Sequence, residues 1–102
     1  MAELITVAKT SEIGAGQAKA VEVKGQPVAL FNIGGTFYAI DDTCTHVGGP
    51  LSEGELQGTT VTCPWHGAQF DVASGKVLAP PAGEGVKSYR VHVQGDEIKL
   101  EV

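Results

Sequence analysis

The pattern of apolar and polar positions predicts a series of short β-strands separated by glycine-containing turns. Residues 3–7 alternate loosely, residues 20–23 continue the pattern, and residues 27–33 form a compact apolar run suited to a buried strand. Gly34-Gly35 separates this run from residues 36–40, which is the spacing of a two-residue hairpin whose turn positions both need positive φ. No stretch has convincing helical periodicity, so the pattern predicts an all-β protein.

The C-terminal residues continue the β pattern. Residues 86–93 alternate between an apolar face and a polar face, and we assign the polar face to solvent. Gly95-Asp96 then turns the chain into a last strand, 98–102. The apolar face consists of Tyr89, Val91 and Val93, and the polar face of Ser88, Arg90 and His92. We interpret His92 as a surface histidine without a ligand role.

Two short motifs between these β regions contain both cysteines and two of the three histidines. They are Cys44-Thr45-His46 and Cys63-Pro64-Trp65-His66, which together have the form C-x-H-x16-C-x-x-H. Each motif offers one thiolate and one imidazole. Because the chain between them can loop back, we predict that Cys44, His46, Cys63 and His66 meet as four ligands around one centre.

The ligand types by themselves leave more than one cofactor open. A Cys2His2 set is a standard structural zinc site, although zinc spacing usually places like ligands together and each motif here is mixed. The alternative is a [2Fe–2S] cluster in which two histidines replace two cysteines on one iron. In a secreted protein, the two cysteines would instead form a disulfide.

The residues around both motifs resemble the Rieske family. Residues 44–51 are similar to its first cluster-binding loop and residues 63–71 to its second. Residues 37–40 and Ser74-Gly75 also fit the pattern, so the resemblance covers nearly the whole chain. Respiratory Rieske proteins carry a membrane anchor and two further loop cysteines, which this sequence lacks at the matching places. The resemblance is therefore to the soluble Rieske ferredoxins.

This resemblance implies a fold, a cofactor and a function. The expected fold is the Rieske fold, a single domain with a small antiparallel β barrel or sandwich base (1–40 and 81–102) and an inserted cluster-binding subdomain (41–80). One [2Fe–2S] cluster would have Cys44 and Cys63 on one iron and His46 and His66 on the other. The protein would be a one-electron carrier between a flavin-containing NAD(P)H reductase and the terminal oxygenase of an aromatic-ring-hydroxylating system. It would be an electron-transfer component, not an enzyme, and a monomer.

Residues within and after the second motif refine this expectation. Neutral imidazole ligands raise the reduction potential above that of an all-cysteine cluster. High-potential relatives have a serine and a tyrosine where this chain has Ala68 and Phe70, so we expect a potential near the low end of the Rieske range. Trp65 lies between two expected ligands, as a cover for the cluster or as a contact surface for a partner, and we favour the first role. By resemblance, Pro80-Pro81 belongs to a loop that limits solvent access.

Length and charge restrict the remaining possibilities. A chain of 102 residues fits one domain and is too short to include the catalytic domain of a Rieske oxygenase. No apolar run approaches a membrane span and no signal-like segment begins the chain, so we expect a reducing, cytoplasmic location. The net charge is −5, and an acidic chain is a poor partner for nucleic acid.

The charge is concentrated in one part of the sequence. Residues 41–80 contain five acids and one base, which predicts an acidic cluster end that docks on basic surfaces of both partners. These residues are Asp41, Asp42, Glu53, Glu55, Asp71 and Lys76.

Two other functions remain as alternatives. The chain is also similar to the small Rieske-type subunit of assimilatory nitrite reductase, which would co-purify with a large sirohaem protein. A zinc-stapled interaction module without a redox role would be colourless. No set of residues outside the two motifs suggests a catalytic site.

Overall fold

Ten strands form two antiparallel sheets in the computed structural model, which describes residues 3–43, 50–65, 67–79 and 85–101. Six strands form the first sheet, in the order β1-β10-β9-β4-β3-β2, and four form the second, in the order β5-β6-β7-β8. Helical structure in the described residues is limited to two 3₁₀ turns, Thr10–Glu12 and Leu51–Glu53. The strands are β1 Leu4–Lys9, β2 Ala18–Val23, β3 Gln26–Ile33, β4 Thr36–Asp41, β5 Glu55–Gln57, β6 Thr60–Thr62, β7 Gln69–Asp71, β8 Val77–Ala79, β9 Ser88–Gln94 and β10 Glu97–Glu101.

The six-stranded sheet curls into a nearly closed barrel whose edge strands, β1 and β2, contact each other. Its strands come from residues 4–41 and 88–101, and every neighbouring pair is antiparallel. The predicted all-β fold with an antiparallel barrel base is therefore confirmed.

Strand β3 is buried on both faces, which explains its unbroken apolar run. Val28 and Leu30 belong to the core cluster inside the barrel, whereas Ala29 and Phe31 belong to a second cluster shared with the four-stranded sheet. A strand between two cores has no solvent face, so the alternation expected of a half-buried strand is absent.

The predicted hairpin between β3 and β4 is confirmed. Ile33 pairs with Thr36, and the two turn residues have φ values of +61° at Gly34 and +92° at Gly35. A β-carbon is disfavoured at both positions, so Gly-Gly fixes this turn and with it the register of the two strands.

The pairing of β9 agrees with the predicted assignment of its residues to two faces, but Val93 is not buried as an apolar-face residue was expected to be. Val93 pairs with the buried Ile98, and His92 pairs with Lys99 on the opposite face. Val93 is nevertheless 48% exposed. It is the last residue but one of β9, next to the turn into β10, and so lies at the rim of the barrel.

The pattern of apolar and polar positions does not predict the four short strands of the second sheet. Each has three residues, too few to show an alternation of apolar and polar positions. Glycines allow the close backbone contacts that this sheet needs. A β-carbon on Gly54 would lie 2.1 Å from the Thr62 carbonyl oxygen, and one on Gly75 would lie 2.0 Å from the Val86 carbonyl oxygen.

Both sheets contribute to one core cluster. Ala29, Phe31 and Ile40 of the barrel belong to the same cluster as Val61 and Phe70 of the four-stranded sheet. The second sheet therefore packs on the barrel instead of standing apart from it. The proposed boundaries between a base (1–40 and 81–102) and a subdomain (41–80) stay a prediction.

Candidate metal centre

The second sequence motif lies at the tip of the hairpin formed by β6 and β7. Thr62 pairs with Gln69, and the Cys63 amide donates a hydrogen bond of 2.7 Å to the Ala68 carbonyl oxygen. The Gly67 amide donates one of 3.1 Å to the Cys63 carbonyl oxygen, which φ of +77° at Gly67 permits. These bonds close a short loop that begins at Cys63.

The Cys63 side chain is buried although it lies at a hairpin tip. The residue is 2% exposed, is not part of a disulfide, and belongs to the same cluster as the fully buried Ala68 and Phe70. A thiol in apolar surroundings at the end of a tightly bonded loop suits a soft metal ligand that must be kept from water. This donor type fits an iron–sulfur cluster or zinc and does not fit Mg²⁺ or Ca²⁺, which prefer oxygen ligands.

The first motif lies outside the described residues, but the two chain ends next to it are well defined. Thr43 and Pro50 form an isolated antiparallel bridge. The Leu51 amide donates a hydrogen bond of 2.6 Å to the Asp42 carbonyl oxygen, and the Ser52 amide donates one of 2.7 Å to the Asp42 carboxylate. The ends of the segment 44–49 are therefore held together by three separate contacts.

The end of the segment 44–51 and the start of the second motif share one core cluster. Leu51, the last residue of that segment, belongs to the cluster that contains Cys63. Of the four predicted ligands, the structure describes Cys63, while Cys44, His46 and His66 lie outside the described residues. Within residues 3–43, 50–65, 67–79 and 85–101, no group of three or more Cys, His, Asp or Glu side chains is placed to hold a metal ion.

A hydrogen bond links β4 to β9 three residues before Cys44. The Tyr89 hydroxyl donates to the Asp41 carboxylate, and the Asp41 amide donates to the Lys87 carbonyl oxygen. Burial, together with the neighbouring Asp41 carboxylate, raises the pKa of Tyr89 well above its usual range. The Lys87 ammonium lies 5.0 Å from the centre of the Tyr89 ring, within the range of a cation–π contact.

Folding redistributes the acidic residues that the sequence places in one segment. Asp42 is buried, and Asp71 pairs with Thr60 at the end of β7 remote from Cys63. Lys76 also lies at that remote end, since its carbonyl oxygen accepts from the Asp71 amide. Glu53 and Glu55 are exposed, and Glu55 pairs with Thr62, next to Cys63. The exposed acidic charge at the hairpin tip therefore consists of fewer residues than the sequence count suggested.

The other residues singled out in the sequence have different surroundings. Trp65 is 58% exposed, so its ring is accessible to a partner, and its role as a cover for the cluster stays a prediction. His92 is half-buried on the outer face of the barrel, with Nε2 3.9 Å from the Glu101 carboxylate. Pro80-Pro81 lies outside the described residues. Sequence analysis missed Asp42 as a residue that shapes the site, and the only available signal was its position two residues before Cys44.

Comparison with known proteins identifies the class. The Rieske [2Fe–2S] domain model matches residues 3–90, so the chain belongs to the Rieske family. The cofactor is accordingly a single [2Fe–2S] cluster, which the two cysteines and two histidines of the motifs fit in number and type. None of the helices in the described part of the chain is long and apolar enough to cross a membrane.

Particular relatives are similar over most of their length. The 3-phenylpropionate/cinnamic acid dioxygenase ferredoxin subunit of Escherichia coli (strain K12) is 43% identical over 88 residues, covering 84% of this chain and 83% of that protein. The ferredoxin component of the naphthalene 1,2-dioxygenase system of Pseudomonas aeruginosa is 35% identical over 91 residues, covering 89% and 88%. A solved structure described as a complex of reduced oxygenase and oxidized ferredoxin in carbazole 1,9a-dioxygenase matches with a TM-score of 0.89 and 34% identity, covering 95% of this chain and 91% of that chain.

Proposed function

We propose that this protein is the Rieske ferredoxin of an aromatic-ring dioxygenase system, a one-electron carrier that supplies a terminal oxygenase. The observation that carries the proposal is one core cluster that contains Cys63 of the second motif and Leu51, the last residue of the segment 44–51 that includes the first motif. The family membership and the ferredoxin relatives support the same function. The protein acts as an electron-transfer component and not as the enzyme that oxidises the substrate.

The proposed ligands are Cys44 and Cys63 for one iron and His46 and His66 for the other. When bound, the cluster supplies a one-electron redox couple. The chain contributes the surroundings of the cluster. The Cys63 side chain lies in an apolar cluster, and two backbone hydrogen bonds, to Ala68 and from Gly67, hold the Cys63 backbone in place. Burial excludes water on this side, while the exposed Trp65 shows that the same loop reaches the surface where a partner can approach.

The proposed partners are a flavin-containing NAD(P)H reductase as donor and a terminal oxygenase as acceptor. A structural neighbour described as a complex of oxygenase and ferredoxin supports the second partner. Docking at the cluster end follows from the short distance that electron transfer needs, and the exposed Glu53 and Glu55 favour basic partner surfaces. We further propose a monomeric protein in the cytoplasm, where both thiols stay reduced, with a base (1–40 and 81–102) and a cluster-binding subdomain (41–80).

Electron paramagnetic resonance of the dithionite-reduced protein at low temperature, with iron quantified in the same sample, tests the cofactor and its ligands. We expect two irons per chain and a rhombic signal whose average g value lies below that of all-cysteine [2Fe–2S] proteins. Replacing His46 or His66 by cysteine should move the signal toward the all-cysteine type. A colourless, signal-free sample that contains zinc after anaerobic purification would contradict the proposal.

A reconstituted assay tests the direction of electron flow. The reduced protein is mixed with a purified ring-hydroxylating oxygenase, and reoxidation is followed by visible absorbance. Single-turnover reoxidation by the oxygenase supports the carrier function. Stable co-purification with a sirohaem protein, without reoxidation by an oxygenase, would instead favour the nitrite reductase subunit.

A further inference from the structure

Asp42, two residues before Cys44, makes hydrogen bonds to both sides of the segment that contains the first motif. Its amide donates a hydrogen bond of 3.1 Å to the Pro27 carbonyl oxygen on β3, so it is attached to the barrel. Its carbonyl oxygen accepts from the Leu51 amide and its carboxylate accepts from the Ser52 amide, at 2.6 and 2.7 Å. One residue thus joins the barrel to the chain on the far side of the segment 44–49.

We propose that Asp42 is a positioning residue for the cluster, because its carboxylate ties the two ends of the segment that carries Cys44 and His46. The proposal rests on the proposed ligand set. Without the carboxylate, the Thr43–Pro50 bridge and the bond from the Leu51 amide would be left, among the contacts of the described residues, to join the ends of the segment. Holding the ends together lowers the conformational freedom of the loop between them, and this lost freedom is part of what binding a cluster costs.

The carboxylate is well suited to this role because it is buried. Asp42 is 8% exposed, so its bond to the partly buried Ser52 amide is largely shielded from competition by bulk water. A bond between an amide and an ionised carboxylate is also about twice as strong as one between neutral groups. Asp42 therefore contributes a strong contact at the point where the loop begins.

The hydrogen bond between Asp42 and Ser52 also holds the chain next to Leu51, which packs against the second motif. Ser52 follows Leu51, whose side chain is fully buried in the cluster that contains Cys63 and Ala68. By holding Leu51 and Ser52, Asp42 determines how the end of the first loop packs against Cys63 and Ala68 of the second loop. Loss of the carboxylate should therefore loosen the ligands of both motifs relative to each other.

The experiment compares release of the cluster from the purified holoprotein of three variants. Asp42→Ala removes the acceptor, Asp42→Asn keeps an oxygen that can accept from Ser52, and Asn32→Ala is the matched control. Asn32 is also buried and its side-chain oxygen accepts from a backbone amide, that of Gly35 at 2.9 Å, but it lies beside the β3–β4 turn, at the end of β3 remote from Pro27 and Asp42. Release is followed as loss of visible absorbance in excess iron chelator, and global unfolding is measured on the same samples.

We expect Asp42→Ala to release the cluster about tenfold faster than the wild type, the factor that corresponds to one lost hydrogen bond of a charged group. Asp42→Asn should release the cluster only about threefold faster than the wild type, because a neutral acceptor keeps about half the strength of the bond. Asn32→Ala should lower thermal stability and should accelerate release no more than this lower stability accounts for. The rhombic signal of the reduced protein should broaden in Asp42→Ala and stay sharper in Asp42→Asn. Equal release rates for Asp42→Ala and Asn32→Ala, compared at equal stability to unfolding, would overturn the proposal.

Hydrogen exchange in the wild-type holoprotein tests the same contact if Asp42→Ala does not accumulate. The amides of Leu51 and Ser52 should exchange as slowly as that of Ala39 in β4, and exchange as fast as that of Gly95 in an exposed turn would refute the proposed clamp. The iron content and the electron paramagnetic resonance signal of the wild type distinguish a failure of the proposed function from a failure of the positioning role. A wild type without a Rieske signal contradicts the proposed function, whereas a normal wild type with an unaffected Asp42→Ala contradicts the positioning role alone.

Discussion

Tyr89 and Asp41 join the last residue of β4 to β9 through a hydrogen bond of 2.5 Å between the phenol hydroxyl and the carboxylate. The two residues are far apart in sequence, and the contact lies at the end of the barrel from which the first motif emerges. Because burial and the carboxylate both disfavour the phenolate, the pKa of Tyr89 in the folded protein is raised above that in the unfolded chain.

This pair predicts a loss of stability at alkaline pH. Below about pH 10, the usual pKa of tyrosine, both states keep the proton and the contribution of Tyr89 is fully present. As pH rises above that value, the unfolded chain loses the proton while the folded protein keeps it, so the free energy of unfolding falls. Tyr89→Phe should remove this part of the fall, and at pH 7 it should cost about 1 kcal/mol for the lost hydrogen bond.

Urea unfolding of the holoprotein between pH 7 and pH 11 measures the effect. Tyr38→Phe is the matched control, since it removes the other tyrosine hydroxyl of the chain. A wild type and a Tyr89→Phe variant with parallel stability curves above pH 10 would contradict the assigned coupling between Tyr89 and Asp41.

The reduction potential should rise when hydroxyl groups are introduced near Cys63. Ala68 and Phe70 are fully buried in its cluster, and neither side chain can donate a hydrogen bond to sulfur. In Ala68→Ser with Phe70→Tyr, each new bond worth about 1 kcal/mol to the reduced cluster would raise the potential by about 40 mV. Protein-film voltammetry measures the change.

The control for this variant is Val72→Thr, which adds a buried hydroxyl to the same cluster at a point further from the hairpin tip. Its potential should stay close to that of the wild type. An unchanged potential in the double variant, with the cluster intact, would show that hydrogen bonds to sulfur do not set the potential here.

Electron transfer should depend on Glu53 and Glu55. Both are exposed, and Glu55 lies beside the hairpin tip that contains Cys63. Replacing both by glutamine should slow the second-order reduction and reoxidation reactions by about twofold to tenfold at low ionic strength, because charge complementarity accelerates encounter. The difference should vanish at about 0.5 M salt, where screening is strong.

Asp96→Asn supplies the charge control, since Asp96 is exposed in the turn between β9 and β10 at the opposite end of the barrel. Stopped-flow rates that fall equally in this control and in the glutamate variants would indicate an effect of net charge alone. Rates without any salt dependence would exclude steering by the acidic tip.

Partner affinity should depend on Trp65. An exposed tryptophan at the loop next to the cluster is the type of residue that carries most of the binding energy in an interface. Trp65→Ala should weaken binding of the terminal oxygenase by about 2 kcal/mol, or about 30-fold in Kd, without loss of iron. Isothermal titration calorimetry measures this, with Val93→Ala as a matched exposed apolar control at the far end of the barrel. Unaltered affinity together with faster cluster loss would support the covering role that we first favoured.

Local features of the sequence are enough to predict the class of fold and the type of cofactor. The two mixed Cys/His motifs, the Gly34-Gly35 turn and the alternation in β9 are local features, and local features depend on residues a few positions apart. The hairpin turn has the expected positive φ values because only the type of residue at two neighbouring positions decides them. The predicted ligand set also rests on residue type and spacing, and it stays a prediction.

The tertiary structure decided which residues surround the site and which charges remain exposed. Asp41 and Tyr89 are 48 positions apart, so no local pattern could pair them. Three-residue strands are stable only through their neighbours, and for that reason β5 to β8 have no signature of their own. Asp42 and Glu55 count equally as charges in the sequence. Only folding buries the first beneath the motif and leaves the second in solvent, because burial depends on contacts between distant segments.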